Sequence, residues 1–138
     1  MGVDPYLLPA TLVLSMAQRL VKRICPNSGK KVPVEGSIKA LIDREFSDLP
    51  AEYKKEIPFS NEVLEIEPTS DCPKGTRGRV AVFEIIQMNK EIEHIIINNP
   101  TDTELMKAAR KQGMLTMKED AIMKAFKKEI PFEEVNRL

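Results

Sequence analysis

The sequence predicts an α+β fold: a small antiparallel strand pair, an irregular central insert and a C-terminal helical cluster. Three observations carry that prediction. Gly78 to Met88, GRVAVFEIIQM, has Val80, Val82, Ile86 and Met88 on one face at period two, and Ala81, Phe83 and Ile85 on the other. Apolar residues on both faces predict a strand buried between two layers. Beyond it, two Thr-x-x-Glu steps, Thr101/Glu104 and Thr116/Glu119, read as helix-opening capping boxes. Before it, residues 25 to 76 hold six of the ten prolines, the composition of an insert with little core of its own.

Taken in order, Asp4 before Pro5 reads as a helix N-cap followed by its first residue. Tyr6, Leu7, Ala10, Thr11 and Leu14 extend one helical face. From Leu14 to Ile24 the pattern fits a strand as well as a continued helix, because Met16, Gln18, Leu20 and Lys22 alternate with Ala17, Arg19, Val21 and Arg23. Cys25 to Pro33 is rich in turn formers. Ser37 to Phe46 and Ala51 to Lys55 read as short helices, and Val63, Leu64 and Ile66 as a short extended piece before the loop Thr69 to Arg77. After the central strand, Lys90 to Asn98 carries Ile92, Ile95 and Ile96 on one helical face. Asn99-Pro100 ends it, and the next helix runs to Gln112 with Gly113 as its stop. The helix after Thr116 offers Met117, Ala121, Met123 and Phe126 for packing, and Pro131 opens a last turn or two.

Composition narrows the function classes. The 138 residues carry 21 basic and 21 acidic side chains, so no global field favours nucleic acid or an anionic membrane. Charged residues at 30% with 42% hydrophobic ones describe an ordinary folded protein. The apolar run Tyr6 to Ala17 lacks a basic flank, carries Pro9 and is too short to span a bilayer. These features point to a cytoplasmic protein. Met1 leads almost directly into patterned sequence, as in a piece of a longer chain.

Chemistry is sparse. The only Gly-Lys step, Gly29-Lys30, has Ile24 and Lys31 where a phosphate loop needs glycine and a hydroxyl, and there is no G-x-G-x-x-G. Cys25-Pro26-Asn27-Ser28 and Cys72-Pro73-Lys74-Gly75 look like two metal knuckles that have each lost their second cysteine. Structural zinc takes four ligands, normally thiolate or imidazole, and His94 falls on the polar side of its helix. Zinc is therefore not expected, and the two cysteines are read as reduced thiols packed at the mouth of the insert. Glu84, alone in an apolar strand, needs a cation or hydrogen-bond donors. Arg19 or Arg23 from a neighbouring strand is the expected partner, with Arg79 close by. A structural ion pair and a charge network at a subunit or nucleotide interface both fit. No Ser/His/Asp, Cys/His or paired-carboxylate arrangement is present, so no catalytic residue and no bound cofactor are assigned.

Five segments in order, GVDPYLLPATL, AQRLVKRICP, GRVAVFEII, KQGMLTMKEDAIMKAF and PFEEVNRL, resemble the C-terminal region of the type II secretion and type IV pilus assembly ATPases (PilB/GspE type) of bacteria. The resemblance implies part of a RecA-like hexameric motor, downstream of that family's Walker A, Asp box, Walker B and His box. It divides the chain into a helix and strand at 1–24, a counterpart of the family's four-cysteine metal-binding subdomain at 25–76, a return strand at 77–88 and a helical subdomain at 89–138. Cys25, Ser28, Cys72 and Gly75 stand at the zinc positions, and Ser28 and Gly75 depart from the pattern. Gln18 and Arg19 match the family's AQRL motif and Arg79 its GR motif. ATP and magnesium would belong to the longer protein. Its implied partners are neighbouring subunits of a homohexamer and an inner-membrane platform protein, with no nucleic acid. A stand-alone interaction module, without ATPase activity, is the alternative, and a metal or redox module a third.

Overall fold

The structure, a computed structural model, describes residues 6–98 and 100–138. The predicted helix start at Asp4-Pro5 and the break at Asn99 lie outside the described residues. A short helix, α1 (Leu7–Thr11), precedes β1 (Leu14–Ile24), β2 (Lys30–Pro33), α2 (Gly36–Glu45), α3 (Ala51–Lys54), β3 (Glu62–Glu65) and β4 (Thr76–Gln87). Helices α4 (Lys90–Asn98), α5 (Asp102–Lys111) and α6 (Met117–Phe126) follow, and a 3₁₀ helix, Phe132–Arg137, ends the chain. The ambiguous segment Leu14–Ile24 is a strand throughout. It pairs antiparallel with β4 in a register running from Leu14↔Gln87 to Lys22↔Arg79, with a shift before Ile24↔Thr76.

Among the described residues, only one face of this pair is covered. Val21, Val80 and Val82 share that face and pack with Ala121, Ile122 and Ala125 of α6. The opposite face, with Leu14, Met16 and Leu20 beside Ile85, stands open, and Ile85 is 42% exposed. The prediction of a strand buried between two layers is thus corrected: among the residues of β4, only Val82 is buried. Apolar residues on both faces recorded a need for cover that the described residues meet on one side.

The insert differs from its prediction too. β2 and β3 pair antiparallel from Lys30↔Glu65 to Pro33↔Glu62. Ile42, Phe46, Leu49, Ile57 and Val63 are buried in the same core as Phe126, Ile130, Phe132 and Val135. Phe59 bridges the two groups, with ring centroids 5.8 Å from Phe46 and 5.7 Å from Phe126. The insert packs into this shared core and supplies five of its fourteen buried residues. A second cluster, Ile92, Ala108, Ala109 and Met114, seats α4 and α5 against Ile86 and Met88 at the end of β4.

Carboxylates from the C-terminal helices close the strand edges. Asp120 accepts from Phe83 N at 2.8 Å, Glu134 from Lys22 N at 2.8 Å and Glu133 from Ile66 N at 3.0 Å. Each satisfies a backbone donor that burial would otherwise make costly. Both capping boxes hold in part or whole: Thr101 accepts from Glu104 N, and Thr116 and Glu119 make the reciprocal pair at α6.

Gly113 ends α5 as predicted, at φ +78°, with its N–H on Arg110 O and Met114 N–H on Ala109 O. A Cβ here would lie 2.5 Å from the Tyr53 ring, whereas one on Gly36 (φ +53°) would meet nothing within 4 Å. Gly113→Ala should therefore cost about 2–3 kcal/mol in urea denaturation, from strain plus ring displacement. Gly36→Ala should cost only the backbone component, about 1–2 kcal/mol. Equal losses would remove the role given to Tyr53.

Candidate functional site

The densest chemistry lies where the insert meets the C-terminal helices, around Arg110. Its Nη1 donates to Glu119 Oε2 at 2.6 Å and to Met114 O at 2.7 Å, and its Nη2 donates to Glu119 Oε1. On the other side Nε and Nη2 donate to Asp48 Oδ1 at 2.9 and 2.7 Å, and Nη2 reaches Glu45 O at 3.2 Å. The planar fork suits this bidentate geometry, which a lysine would not reproduce. Glu119 also accepts from Thr116 N at 2.8 Å. Burial works against the guanidinium charge, but the bonds to Glu119 and Asp48 outweigh it and raise its pKa above the ordinary value.

The two carboxylates are unequal. The Glu119 side chain is 1% exposed and that of Asp48 70%. Asp48 therefore contributes as a surface pair, about 0–1 kcal/mol, while Glu119 stripped of its partner would be a buried uncompensated charge. Reading the sequence missed this site, although a signal was present. Glu119 stands three residues before Ile122 and seven before Phe126, on the buried face of α6, and so needed a cation as much as Glu84 did.

The residues singled out from the sequence do not assemble into that site. Gln18, Arg19, Arg23 and Arg79 are exposed on the strand pair, opposite Phe83, Val82, no strand residue and Lys22 respectively. Glu84 is half-buried opposite Ala17 and accepts from Met117 N at 3.4 Å. Among the described residues no ion pair joins it to Arg19 or Arg23, so the expected pair is corrected. The carboxylate turns instead toward the free N–H groups at the start of α6, where a negative charge is also favoured.

The neck of the insert holds a second correction. Cys25 and Cys72 are joined in a disulfide across 6.6 Å between Cα atoms, and are not the reduced thiols expected. The two knuckle turns survive around it: Ser28 N donates to Cys25 O at 3.2 Å, Gly75 N to Cys72 O at 2.9 Å, and Cys25 N crosses to Gly75 O. Ser28 Oγ also donates to Cys25 O, and Gly75 takes φ +64°. Two bonded sulfurs do not fit a four-ligand zinc site, and among the described residues no group of three or more His, Cys, Asp or Glu could hold a metal. The metal-binding reading of the insert is not supported. Nor do the residues fit a nucleotide phosphate: Gly29-Lys30 leads into β2, not into a helix whose N-terminus could face an anion. No described helix is long and apolar enough to cross a membrane.

The disulfide closes a segment spanning 47 positions. Its reduction with dithiothreitol should lower unfolding free energy by about 4 kcal/mol in the chain-entropy model. Free thiols in the non-reduced, unfolded chain would contradict the bond. Arg110→Leu should cost about 3–5 kcal/mol. Adding Glu119→Leu should recover part of that loss, because the stranded charge goes with it. A double variant no more stable than Arg110→Leu alone would refute this account.

A family model described as Type II/IV secretion system protein matches residues 1–137. The chain is 30% identical over 139 residues to a type IV pilus assembly ATPase PilB of Thermus thermophilus, covering 98% of this chain and 14% of that protein. It is 31% identical over 140 residues to a type II secretion system protein E of Xanthomonas campestris, covering 100% of this chain and 23% of the relative. A PilB of Myxococcus xanthus is 31% identical over 136 residues, 98% of this chain and 23% of its own length. The chain thus spans about a quarter or less of the relatives it matches.

Proposed function

The chain belongs to the type II/IV secretion system protein family, and from that premise we propose that it works as the C-terminal part of a hexameric traffic ATPase powering type IV pilus assembly or type II secretion. ATP and magnesium would be held elsewhere in the longer protein, and these 138 residues would supply sheet strands and contact surfaces. The exposed Gln18, Arg19, Arg23 and Arg79 are candidates for contacts with neighbouring subunits. The helical cluster is the candidate surface for the platform protein of the machine, at the cytoplasmic side of the inner membrane.

The observation that carries this reading is the open side of the strand pair. Lys22 N–H points away from β4, onto Glu134. By strand alternation Leu14, Met16, Gln18 and Leu20 also turn their N–H groups outward. Leu14, Met16 and Leu20 are 45, 54 and 56% exposed along that edge. An edge that is bonded, among the described residues, only at Lys22 and is flanked by large apolar side chains is what a strand pair from a larger RecA-like sheet would leave, and it is a liability in a free-standing module.

The purified 138-residue chain with ATP and magnesium should release no phosphate above a buffer control. Turnover would overturn the placement of catalysis outside it. A parent reading frame with no Walker A upstream would overturn the motor reading itself and leave the interaction module.

A further inference from the structure

The neck of the insert sets its disulfide beside a cationic cleft. A cavity of about 520 Å³ opens between the Cys25 turn and the segment that follows α6. Among the described residues Cys25 borders it and Cys72 does not. Arg23, Lys31, Lys127 and Lys128 line it, against one lining carboxylate, Glu129. Glu62 of β3 is shared by Lys31, at 3.2 Å, and Lys128. Among the described residues Arg23 and Lys127 have no ion-pair partner. Four cations against Glu129 and Glu62 leave the cleft with a positive excess.

Cys25 is 3% exposed and Cys72 7%, so bulk solvent barely meets the bond and the cleft is its approach. Thiol–disulfide exchange passes through a mixed disulfide, with attacking, attacked and leaving sulfurs nearly in line. From the cleft the attacked sulfur is that of Cys25, and Cys72 is the leaving group. The attacker is a thiolate, which surrounding cations favour. Exchange need not dismantle the neck, because backbone bonds hold both turns without the sulfurs. Cys25 N donates to Gly75 O at 3.2 Å, Cys72 N to Thr69 O at 3.1 Å and Gly75 N to Cys72 O at 2.9 Å. The two cysteines thus stay facing after reduction and can close again.

A reductant suited to this cleft is small and brings carboxylate charge for Arg23 and Lys127 along with its thiol. We propose that Cys25 is a thiol–disulfide exchange site for an anionic low-molecular-weight thiol, which makes the Cys25–Cys72 bond reversible in the folded chain. The thiolate attacks Cys25 Sγ; the new S–S bond forms as the Cys25–Cys72 bond breaks, and Cys72 leaves as a thiolate that takes a proton from water. A second thiolate attacks the added sulfur, releasing the small disulfide and Cys25, which is protonated in turn. Two small thiols are thus oxidised and one protein disulfide is reduced. This inference does not depend on the motor reading, because it rests on the neck alone.

The test reduces the oxidised chain with mercaptopropionate, mercaptoethanol or cysteamine, which are anionic, neutral and cationic. Each rate is divided by that thiol's rate on bis(hydroxyethyl) disulfide, which removes differences in intrinsic reactivity. The normalised rates should fall in that order, by about threefold per unit of charge at low salt, and converge in molar salt. Joint Arg23→Gln and Lys127→Gln substitution should erase most of the order at unchanged melting temperature. Acid quenching midway through reduction by glutathione, then peptide mass mapping, should place the adduct on Cys25. Rates should stay flat across sub-denaturing urea, because exchange takes place in the folded chain. Equal normalised rates, an adduct on Cys72, or rates climbing with urea as steeply as global unfolding would each overturn the proposal.

Discussion

One buried guanidinium holds this molecule in register. Arg110 leaves the last turn of α5, crosses to the capping carboxylate of α6 and ends on the Glu45 carbonyl at the end of α2 and on Asp48 just past it. The end of α5, the start of α6 and the end of α2, more than sixty residues earlier, meet on one rigid fork. The arrangement tolerates little shift, because Glu119 is both the counter-ion of Arg110 and half of the capping box that starts α6. Loss of either role weakens the other, because Glu119 is buried.

From that clasp the rest of the packing follows. With α6 fixed, Ala121, Ile122 and Ala125 lie under Val21, Val80 and Val82, and Phe126 meets the insert through Phe59. The acidic side chains Asp120, Glu133 and Glu134 then fall beside bare strand N–H groups of β4, β3's end and β1. A helix cluster that seemed to back a strand pair instead joins it to the insert, and the core is shared by segments almost the full chain apart. The disulfide at the neck adds to this a covalent closure that the core does not need for its continuity.

Much of the fold was legible because local chemistry decided it. Capping boxes, Gly113 and period-two alternation concern neighbours within a few residues, and the helices after Gly78–Met88 lie where those signals put them. The candidate site was legible only in part. Glu84 and Glu119 posed the same question, a carboxylate on a buried face, and sequence reading asked it of Glu84 alone. Glu84 found the N–H of Met117, whereas Glu119 needed an arginine. Which donor a carboxylate finds is set by what packs opposite, and no spacing within one strand contains that.

By itself, then, the sequence determined the strand at Gly78–Met88, the C-terminal helices, the Gly113 stop and the ordered resemblance that identifies the family. Each of these rests on short-range backbone preference or on direct residue identity. Periodicity left Leu14–Ile24 open between helix and strand; the family resemblance implied a strand, and the pairing with β4 shows one. Tertiary structure alone decided that Cys25 and Cys72 meet, that the insert shares the main core, and that Arg110 joins three segments. It also decided that, among the described residues, one face of the strand pair is left uncovered. Those are facts about surfaces brought together from far along the chain, where desolvation and geometry, not local preference, select the partner.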